Sequence, residues 1–464
     1  MTPPLTITSA GAALREGTVT AVELLQAASE AADRWDVRLG AYLSRYDETA
    51  LAAAAVADDE LAAGIDKGPL HGIPIGIKDI IATVEGPTTG NSVVNDPTWW
   101  EGTDAPVVAR LRAAGAVITG KVTTMEYACG LPDPTKPFPI PRNPWNLDTW
   151  PGGSSSGSGN GVAAGLFLGA LGTDTGGSVR MPAAFCGITG MKQTYGLVPK
   201  AGCLPLGVTL DHIGPMTRSA ADAAAMLEIM AGYDPADPSM APTATTQPYR
   251  TQLNGNLNGI RIGVVRAGHT GAIGEDPHLE ARFEAAVLAL AEAGAALTEV
   301  ELPLFDEVTN ACIVTMCVEA FAFHRQNFTE RWTDYGRPMR SFVGLGGTYS
   351  ALDYAQAQKV RRIGITELAG LWNRVDLVVM PTAAAGAPLL EGIDVASFLP
   401  LIFTPYWNPV GCPVLAVPMG LGSTGLPLSL SIAGRPFADG LVLRAGDAFQ
   451  RRTEHHLLEP PVAR

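Results

Sequence analysis

Two short stretches rich in glycine and serine carry the hydroxyl groups best placed to act as nucleophiles. The first, at 151–161, reads PGGSSSGSGNG and holds five glycines and four serines. The second, at 172–180, reads GTDTGGSVR, and ten small or apolar residues separate the two. Glycine lets backbone N–H groups approach a ligand closely, and a serine hydroxyl becomes a nucleophile once a base activates it. A flexible linker has a similar composition, but a linker does not normally lead into an apolar segment and a second such stretch.

A base that could activate a serine is the next requirement. None of the seven histidines lies in a motif-like setting, and GSSSG at 153–157 lacks the preceding strand that a G-x-S-x-G elbow needs. Lys78 is the other base available, and it lies in IPIGIKDII among five isoleucines. Burial in such surroundings lowers a lysine pKa and makes the neutral amine usable as a base. The local sequence leaves one alternative open, which is an ion pair between Lys78 and Asp79 at a strand edge.

Other short motifs in the chain are incomplete. GAVITGK at 115–121 matches the start of a phosphate-binding loop, but Val122 stands where that loop requires Ser or Thr. DTG at 174–176 occurs once, whereas aspartic proteases need two carboxylates that share a proton. The six cysteines form no CxxC pair and no cluster with histidine. The sequence therefore predicts neither a metal site nor a disulfide framework.

The hydrophobic pattern predicts the elements that must position these residues. Thr20, with Glu23 three residues on, matches a capping box at the start of a helix. Helices are predicted at 20–28, 47–63, 107–114, 162–171, 222–230 and 279–293. Strands are predicted within 68–81 and at 116–118, 260–265, 297–302, 375–381, 414–418 and 428–434. Residues 148–161 are predicted to form a loop, and 234–257 an irregular excursion. Strands and helices alternate on both sides of this excursion, which predicts an α/β fold with a large sheet covered by helices on both faces.

Length and charge limit the classes of function. The chain has 464 residues, 47% of them hydrophobic and 17% charged, which is typical of a globular protein with a large core. A net charge of −14 without a basic run disfavours nucleic acid as a direct partner. The first ten residues lack the features of a signal peptide, and no run of about 18 apolar residues suggests a membrane span. We therefore expect a cytoplasmic protein with no membrane partner, and the sequence leaves its oligomeric state open, a homodimer included.

Taken together, Lys78 and the two glycine–serine stretches resemble the amidase signature family. Further blocks agree with that family in order along most of the chain, namely HGIPIGIKD, GAVITGKVTTMEYACG, PGGSSSGS, GALGTDTGGSVRMPAAFCGITGMKQTYG, LDHIGPMTRSAADAA and FTPYWNPVGCPVLAVP. The similarity is weakest at 234–257 and 300–345. The resemblance implies one large α/β domain over 1–464, built on a mixed sheet that is surrounded by helices.

The resemblance also implies a catalytic trio. Carried over by position, Ser178 is the nucleophile, Ser154 is a relay whose peptide bond to Gly153 is cis, and Lys78 is the base. The backbone N–H groups of four residues would form the oxyanion hole: Thr175, Gly176, Gly177 and Ser178. The family needs no metal or organic cofactor for this chemistry.

Other residues are expected beside the trio. Asp174 and Arg180 are predicted to brace the second stretch, because a buried charge usually has a partner. Cys129, Gly130 and Gly153 are expected to line the substrate site, which the resemblance places next to the segment EYACG at 126–130.

Three functions are compatible with the sequence. The first is a free-standing amidase that acts on a small-molecule amide or carbamate. The second is the glutaminase subunit of a tRNA-dependent amidotransferase, which would act with a partner subunit. The third is a binding protein that has kept the fold without catalysis, which is disfavoured because all three positions of the trio are filled.

Overall fold

The computed structural model describes residues 6–266 and 275–463, and residues 1–5 of the stretch considered for a signal peptide lie outside that part. The described strands form one eleven-stranded sheet of order β1-β3-β2-β4-β6-β5-β10-β11-β9-β7-β8. The strands are β1 Tyr42–Arg45, β2 Pro74–Lys78, β3 Val117–Val122, β4 Gly169–Asp174, β5 Thr189–Lys192, β6 His212–Thr217, β7 Arg261–Val265, β8 Ala296–Val300, β9 Leu377–Pro381, β10 Val414–Leu421 and β11 Pro427–Gly434.

Helices connect these strands. They are α1 Ile7–Arg15, α2 Ala21–Leu39, α3 Asp47–Ala62, α4 Pro106–Ala113, α5 Ser156–Ala163, α6 Arg180–Cys186, α7 Ala220–Met230, α8 Leu279–Glu292, α9 Phe305–Glu330, α10 Arg337–Gly344, α11 Ala351–Trp372, α12 Val395–Phe398 and α13 Asp439–Thr453. The predicted capping box is confirmed, since the Thr20 side chain accepts from the Glu23 N–H and Glu23 accepts from the Thr20 N–H.

The sheet is mixed and its two faces are both covered. Strand β2 runs parallel to β3 and β4, whereas β4 pairs antiparallel with β6, and β10 pairs antiparallel with β5 and β11. Along β10, Leu415 and Val417 belong to one apolar cluster with residues of α7, α8 and α13, while Val414 and Ala416 belong to clusters on the opposite face. Alternate residues of a strand point to opposite faces. The predicted fold class, a single domain with a mixed sheet flanked by helices, is therefore confirmed.

Two element predictions around the first glycine–serine stretch are wrong. Residues 148–161 are not entirely a loop, because α5 begins at Ser156, and 162–171 is not a helix, because β4 begins at Gly169. The glycines within α5 permit close packing. A Cβ on Gly161 would lie 2.2 Å from Cζ of Phe167, which packs across the helix. Small residues in this region therefore reflect buried contacts instead of a flexible chain.

The irregular excursion predicted at 234–257 can be compared with the structure. Residues 234–257, between α7 and β7, have no regular element except a short turn of 3₁₀ helix at Arg250–Gln252. In the described ranges, no helix combines the length and hydropathy needed to cross a membrane. That a single domain spans all of 1–464 stays a prediction.

Candidate active site

Lys78 is the last residue of β2, and the strands on both sides of β2 bury it completely. Its Nζ donates to Ser154 Oγ at 2.7 Å, to Ser155 Oγ at 2.9 Å and to Thr173 Oγ1 at 2.7 Å. The alternative of a Lys78–Asp79 pair is wrong, because the Asp79 carboxylate lies 3.4 Å from Lys121 Nζ instead. Lys78 is thus a completely buried amine, and the hydrogen-bond partners that the structure describes for its Nζ are three hydroxyl groups.

The environment of Lys78 favours its neutral form. Burial lowers the pKa of Lys78 to about 7, and the more distant Cys203, Asp174 and Asp211 oppose this only in part. Near neutral pH, a large share of the molecules therefore carries a free amine at this position. A neutral amine that contacts a hydroxyl can accept its proton, which is the property required of a base for serine chemistry.

Ser154 lies in the turn before α5, and its peptide bond to Gly153 is cis, which confirms the bond geometry implied by the resemblance. The neighbouring Ser155 is held differently, since its Oγ accepts from the Thr173 N–H at 3.1 Å and donates to Thr173 O at 3.2 Å. Ser155 therefore braces the first glycine–serine stretch against β4. Ser154 Oγ, whose described hydrogen bond is the one with Lys78 Nζ, is left as the candidate relay hydroxyl.

Ser178 lies between β4 and α6, and its side chain is partly exposed, in contrast to the buried Ser154. The Ser155 N–H donates to Ser178 O at 3.3 Å, which joins the two glycine–serine stretches through their backbones. Over residues 6–266 and 275–463, the Ser178 hydroxyl has no hydrogen-bond partner, so no hydrogen bond joins it to Ser154 Oγ. The structure therefore brings Lys78 and Ser154 into direct contact and leaves the Ser178 hydroxyl free beside them.

The backbone from 175 to 178 offers N–H donors for a developing oxyanion, but one of the predicted donors is already engaged. The Gly177 N–H already donates to Asp174 Oδ1 at 2.8 Å, so Gly177 is wrong as a predicted oxyanion donor. The N–H groups of Thr175, Gly176 and Ser178 have no acceptor within the described part of the chain. These three remain as candidate donors.

Gly177 has a conformational role instead. Its φ is +136°, and a Cβ at this position would lie 2.0 Å from Thr404 Oγ1. Thr404 Oγ1 in turn donates to Gly176 O at 2.8 Å. Only glycine adopts this backbone conformation readily and leaves room for the threonine. The C-terminal part of the chain thereby holds the loop that carries Ser178.

Asp174 and Arg180 form a buried pair below this loop. The guanidinium donates through Nε to Asp174 Oδ2 and through Nη2 to Oδ1, both at 2.9 Å, and both side chains are fully buried. Burial acts to raise the pKa of Asp174, but the Arg180 charge and the Arg180 and Asn408 hydrogen bonds outweigh it and hold the pKa below its ordinary value. Arg180 also donates to Thr404 O at 2.9 Å and to Asn408 Oδ1 at 2.7 Å. The pair contacts protein groups, as expected of a brace.

Ser154 and Gly153 contact the segment that holds two other residues predicted to line the substrate site, Cys129 and Gly130. Met125 N–H donates to Ser154 O at 3.1 Å, and Met125 begins the segment 125–130, here called the strip. Cys129 in the strip is buried, and burial raises the pKa of its thiol. Gly153 packs against Met125, with 3.1 Å between the Met125 Cγ and a Cβ built on the glycine. The strip therefore begins beside the cis peptide.

Two other surfaces border the loop that carries Ser178. Cys312 Sγ and Met316 Cε, both from α9, lie 3.9 Å and 4.0 Å from a Cβ built on Gly176. Behind the loop, a cavity of about 200 Å³ is lined partly by Thr173, Thr175 and Asp211.

In the part of the chain that the structure describes, no three Asp, Glu, His or Cys residues come together as a metal site would require.

Sequence reasoning missed several groups at this site. Ser155 and Thr173 lie within the recognised stretches, so those stretches signalled their presence although not their contacts with Lys78. Thr404 and Asn408 contact the Ser178 loop from 224 to 234 positions away along the chain. The block FTPYWNPVG was the only signal for these two residues.

Comparison with known proteins agrees with this geometry. The family model Amidase matches residues 23–443. The chain is 38% identical to a glutamyl-tRNA(Gln) amidotransferase subunit of Chloroflexus aggregans, over 99% of each protein. It is 36% identical to the putative amidase AmiD of Mycobacterium bovis, over 99% of this chain and 96% of that protein.

A solved structure extends the likeness to the fold. The native peptide amidase from Stenotrophomonas maltophilia superposes with a TM-score of 0.85 and 29% identity, over 98% of each chain. The match covers nearly the whole of both chains, and the family model spans the two glycine–serine stretches as well as Lys78. This chain belongs to the amidase family, the amidase signature enzymes, and is a hydrolase that acts on the C–N bonds of amides.

Proposed function

We propose that this chain is a free-standing amidase that hydrolyses small or medium-sized amides through an acyl-enzyme on Ser178. One observation carries the proposal: a buried lysine, whose pKa burial lowers to about 7, donates to Ser154 Oγ at 2.7 Å beside the free Ser178 hydroxyl. A base, a relay hydroxyl and an accessible nucleophile thus occupy one site.

Acylation begins at the neutral amine. Lys78 accepts the Ser154 proton while Ser154 takes the proton of Ser178, and the Ser178 oxygen attacks the substrate carbonyl carbon. Hydrogen bonds between catalytic groups are often long or absent before substrate binds, so a rotation of the Ser178 side chain toward Ser154 completes the path. The N–H groups of Thr175, Gly176 and Ser178 stabilise the negative oxygen, and one such donor typically contributes about 10²–10³ in rate.

The proton then reverses its path. Lys78 returns it through Ser154 to the leaving nitrogen, the C–N bond breaks, and the acyl group stays on Ser178 as an ester. Water attacks this ester while the same relay accepts the water proton, and Ser178 is released with its hydroxyl restored. The amine and the acid leave as separate products, and no metal or organic cofactor takes part in the scheme.

The bordering residues favour substrates with an apolar part next to the reacting carbonyl. Met125 of the strip packs against Gly153, and Cys312 and Met316 of α9 approach Gly176, so carbon and sulfur lie near both glycine–serine stretches. Aryl or alkyl amides, oligoamides and carbamates all fit this description. A carbamate carries an ester oxygen on the same carbonyl carbon, so the same nucleophile and the same N–H donors would serve it.

A second candidate is the glutaminase subunit of a tRNA-dependent amidotransferase. The observation that favours it is the 38% identity to a subunit of such an enzyme along 99% of each chain. This function requires glutamine as substrate and a partner protein, whereas the first requires neither. The cytoplasmic location stays a prediction under both, and neither function fixes the oligomeric state.

Hydrolysis by the purified chain separates the two. We would assay anilides, aliphatic amides, carbamates, esters and glutamine with wild type, Ser178→Ala and Ser155→Ala. We expect turnover of at least one non-glutamine substrate, no turnover by Ser178→Ala, and reduced but measurable turnover by Ser155→Ala, because Ser155 braces the site without relaying protons.

Three results would count against the proposal. Retained activity in Ser178→Ala would reject the nucleophile. Activity on glutamine alone, and only with a partner protein, would favour the amidotransferase. Failure of a serine-directed probe to label Ser178 would favour a binding protein.

A further inference from the structure

The segment from α9 to α10 forms a wall of the active site and rests on the strip. Cys312 and Met316 of α9 approach Gly176 on one side of the site. The first turn of α10 approaches the strip on the other, since a Cβ on Gly130 would lie 3.1 Å from Pro338 Cβ and 3.3 Å from the Met339 nitrogen. The contact between the first turn of α10 and Gly130 therefore sets the width of the space between the strip and this α9–α10 wall.

A buried carboxylate fixes that position. Glu126, in the strip, is 9% exposed, and its Oε2 accepts from the Gly336 N–H at 2.6 Å. Its Oε1 accepts from the Ser92 hydroxyl at 2.6 Å. Gly336 is the residue before α10, which has no capping side chain of its own. Glu126 therefore supplies the acceptor that the start of this helix lacks.

A second carboxylate acts at the same helix end. Asp133 Oδ2 accepts from the Arg337 N–H at 2.8 Å, so two acidic groups from beyond the helix face its positive end. Hydrogen bonds to charged groups are stronger than those between neutral groups. Together these contacts tie the first turn of α10 to the segment that carries Gly130.

The backbone between Glu126 and Gly130 is also held in an unusual conformation. Tyr127 and Ala128 are adjacent non-glycine residues with φ of +47° and +62°. Left-handed backbone is unfavourable for such residues, and it persists where the surroundings enforce it, commonly at functional sites. The Tyr127 ring packs on His324 of α9 with 4.4 Å between ring centroids, so α9 contributes to that enforcement.

We propose that Glu126 is a positioning residue that determines substrate selectivity, by holding the first turn of α10 against Gly130. The inference rests on the proposed amidase function, because it assigns the strip and α10 to the substrate site of that reaction. Glu126 acts through α10 and takes no part in proton transfer. Its loss widens the site and weakens the binding of substrates that reach the wall, and it leaves the chemical step at Ser178 in place.

Asp58 offers a matched control for general loss of stability. Its carboxylate accepts from the N–H groups of Ala21 and Val22, at 2.6 Å and 3.1 Å, and so faces the start of α2 as Glu126 faces the start of α10. Asp58 lies on α3, and its described hydrogen-bond partners belong neither to the strip nor to the proton path. Asp58→Ala therefore removes the same kind of contact without touching the wall.

The test compares a short and a bulky substrate. Acetyl and benzoyl 4-nitroanilides would be assayed with wild type, Glu126→Ala, Glu126→Gln and Asp58→Ala, and Tm would be measured for each. For Glu126→Ala we expect KM for the bulky anilide to rise at least tenfold, with kcat within threefold and the short anilide little affected. Glu126→Gln should stay within threefold of wild type, because its amide oxygen still accepts from Gly336 and Ser92 can accept from its nitrogen.

The outcomes separate this inference from the function on which it rests. If wild type turns over neither anilide nor any other amide, the proposed function fails. If wild type is active but Glu126→Ala keeps the wild-type KM for both anilides, or alters both equally as Asp58→Ala does, the positioning role is overturned. Should Glu126→Ala not fold, Glu126→Asp is one methylene shorter, still charged, and expected to change selectivity in the same way.

Discussion

Activity should rise with pH through the titration of Lys78. The free amine is the active form of the base, and burial lowers the pKa of Lys78 to about 7. The protonated form prevails below this value and the neutral form above it, so the sign of the effect is positive. With that pKa, about 9% of the lysine is neutral at pH 6 and about 91% at pH 8, which predicts a roughly tenfold increase in kcat/KM.

The assay is kcat/KM for an uncharged anilide between pH 5.5 and 9 at constant ionic strength. Far-UV circular dichroism and Tm over the same range would show that the fold is unchanged. An uncharged substrate is needed because kcat/KM reports ionisations of the free enzyme and the free substrate. A single inflection near pH 7, with a slope of about one below it, is the expected result.

A second buried lysine supplies the control. Burial also lowers the pKa of Lys192 to about 7, but its Nζ contacts Cys412 O and Gln193 O and lies in a different network from Ser154. Lys192→Met should therefore keep the inflection. A flat profile in wild type, or an inflection that disappears in Lys192→Met, would refute the reasoning that Lys78 is the base.

Two further predictions concern the loop that carries Ser178. Gly177→Ala should lower the free energy of unfolding by about 1–3 kcal/mol, because its Cβ would lie 2.0 Å from Thr404 Oγ1 at a φ of +136°. The control in urea denaturation is Gly176→Ala, whose Cβ meets no atom closer than 3.9 Å. Equal losses of stability in the two variants would contradict the prediction. Asp174→Asn leaves the Arg180 charge buried without its carboxylate, so urea denaturation should show a loss of about 3–5 kcal/mol. A loss under about 1 kcal/mol would mean that Arg180 is satisfied by its other acceptors.

Much of the framework could be predicted from local sequence. The isoleucine-rich run around Lys78 indicated burial, and Lys78 is completely buried at the end of β2. The capping box at Thr20 located the start of α2 to the residue. These features depend on neighbours within a few positions, which a periodic pattern records directly.

The rest depended on contacts that no local pattern records. Residues 162–171 are small and apolar, a composition shared by helices and buried strands, so the helical prediction there failed. The family resemblance implied that Gly177 is an oxyanion donor, but the Asp174 carboxylate accepts from its N–H. The role of Glu126 depends on Gly336, which lies 210 positions away.

The order of the strands has a consequence for biosynthesis. Strand β5 pairs with β10, so the middle of the sheet joins residues 190–192 to residues 414–416. Arg180 likewise reaches Thr404 and Asn408. Every reacting side chain has left the ribosome long before these partners are made. A nascent chain that stops short of them exposes an unpaired strand edge and leaves the Arg180 guanidinium without two of its acceptors. Such a fragment would carry all three residues of the trio and be inactive. The last strands to be translated therefore complete the structure on which activity depends.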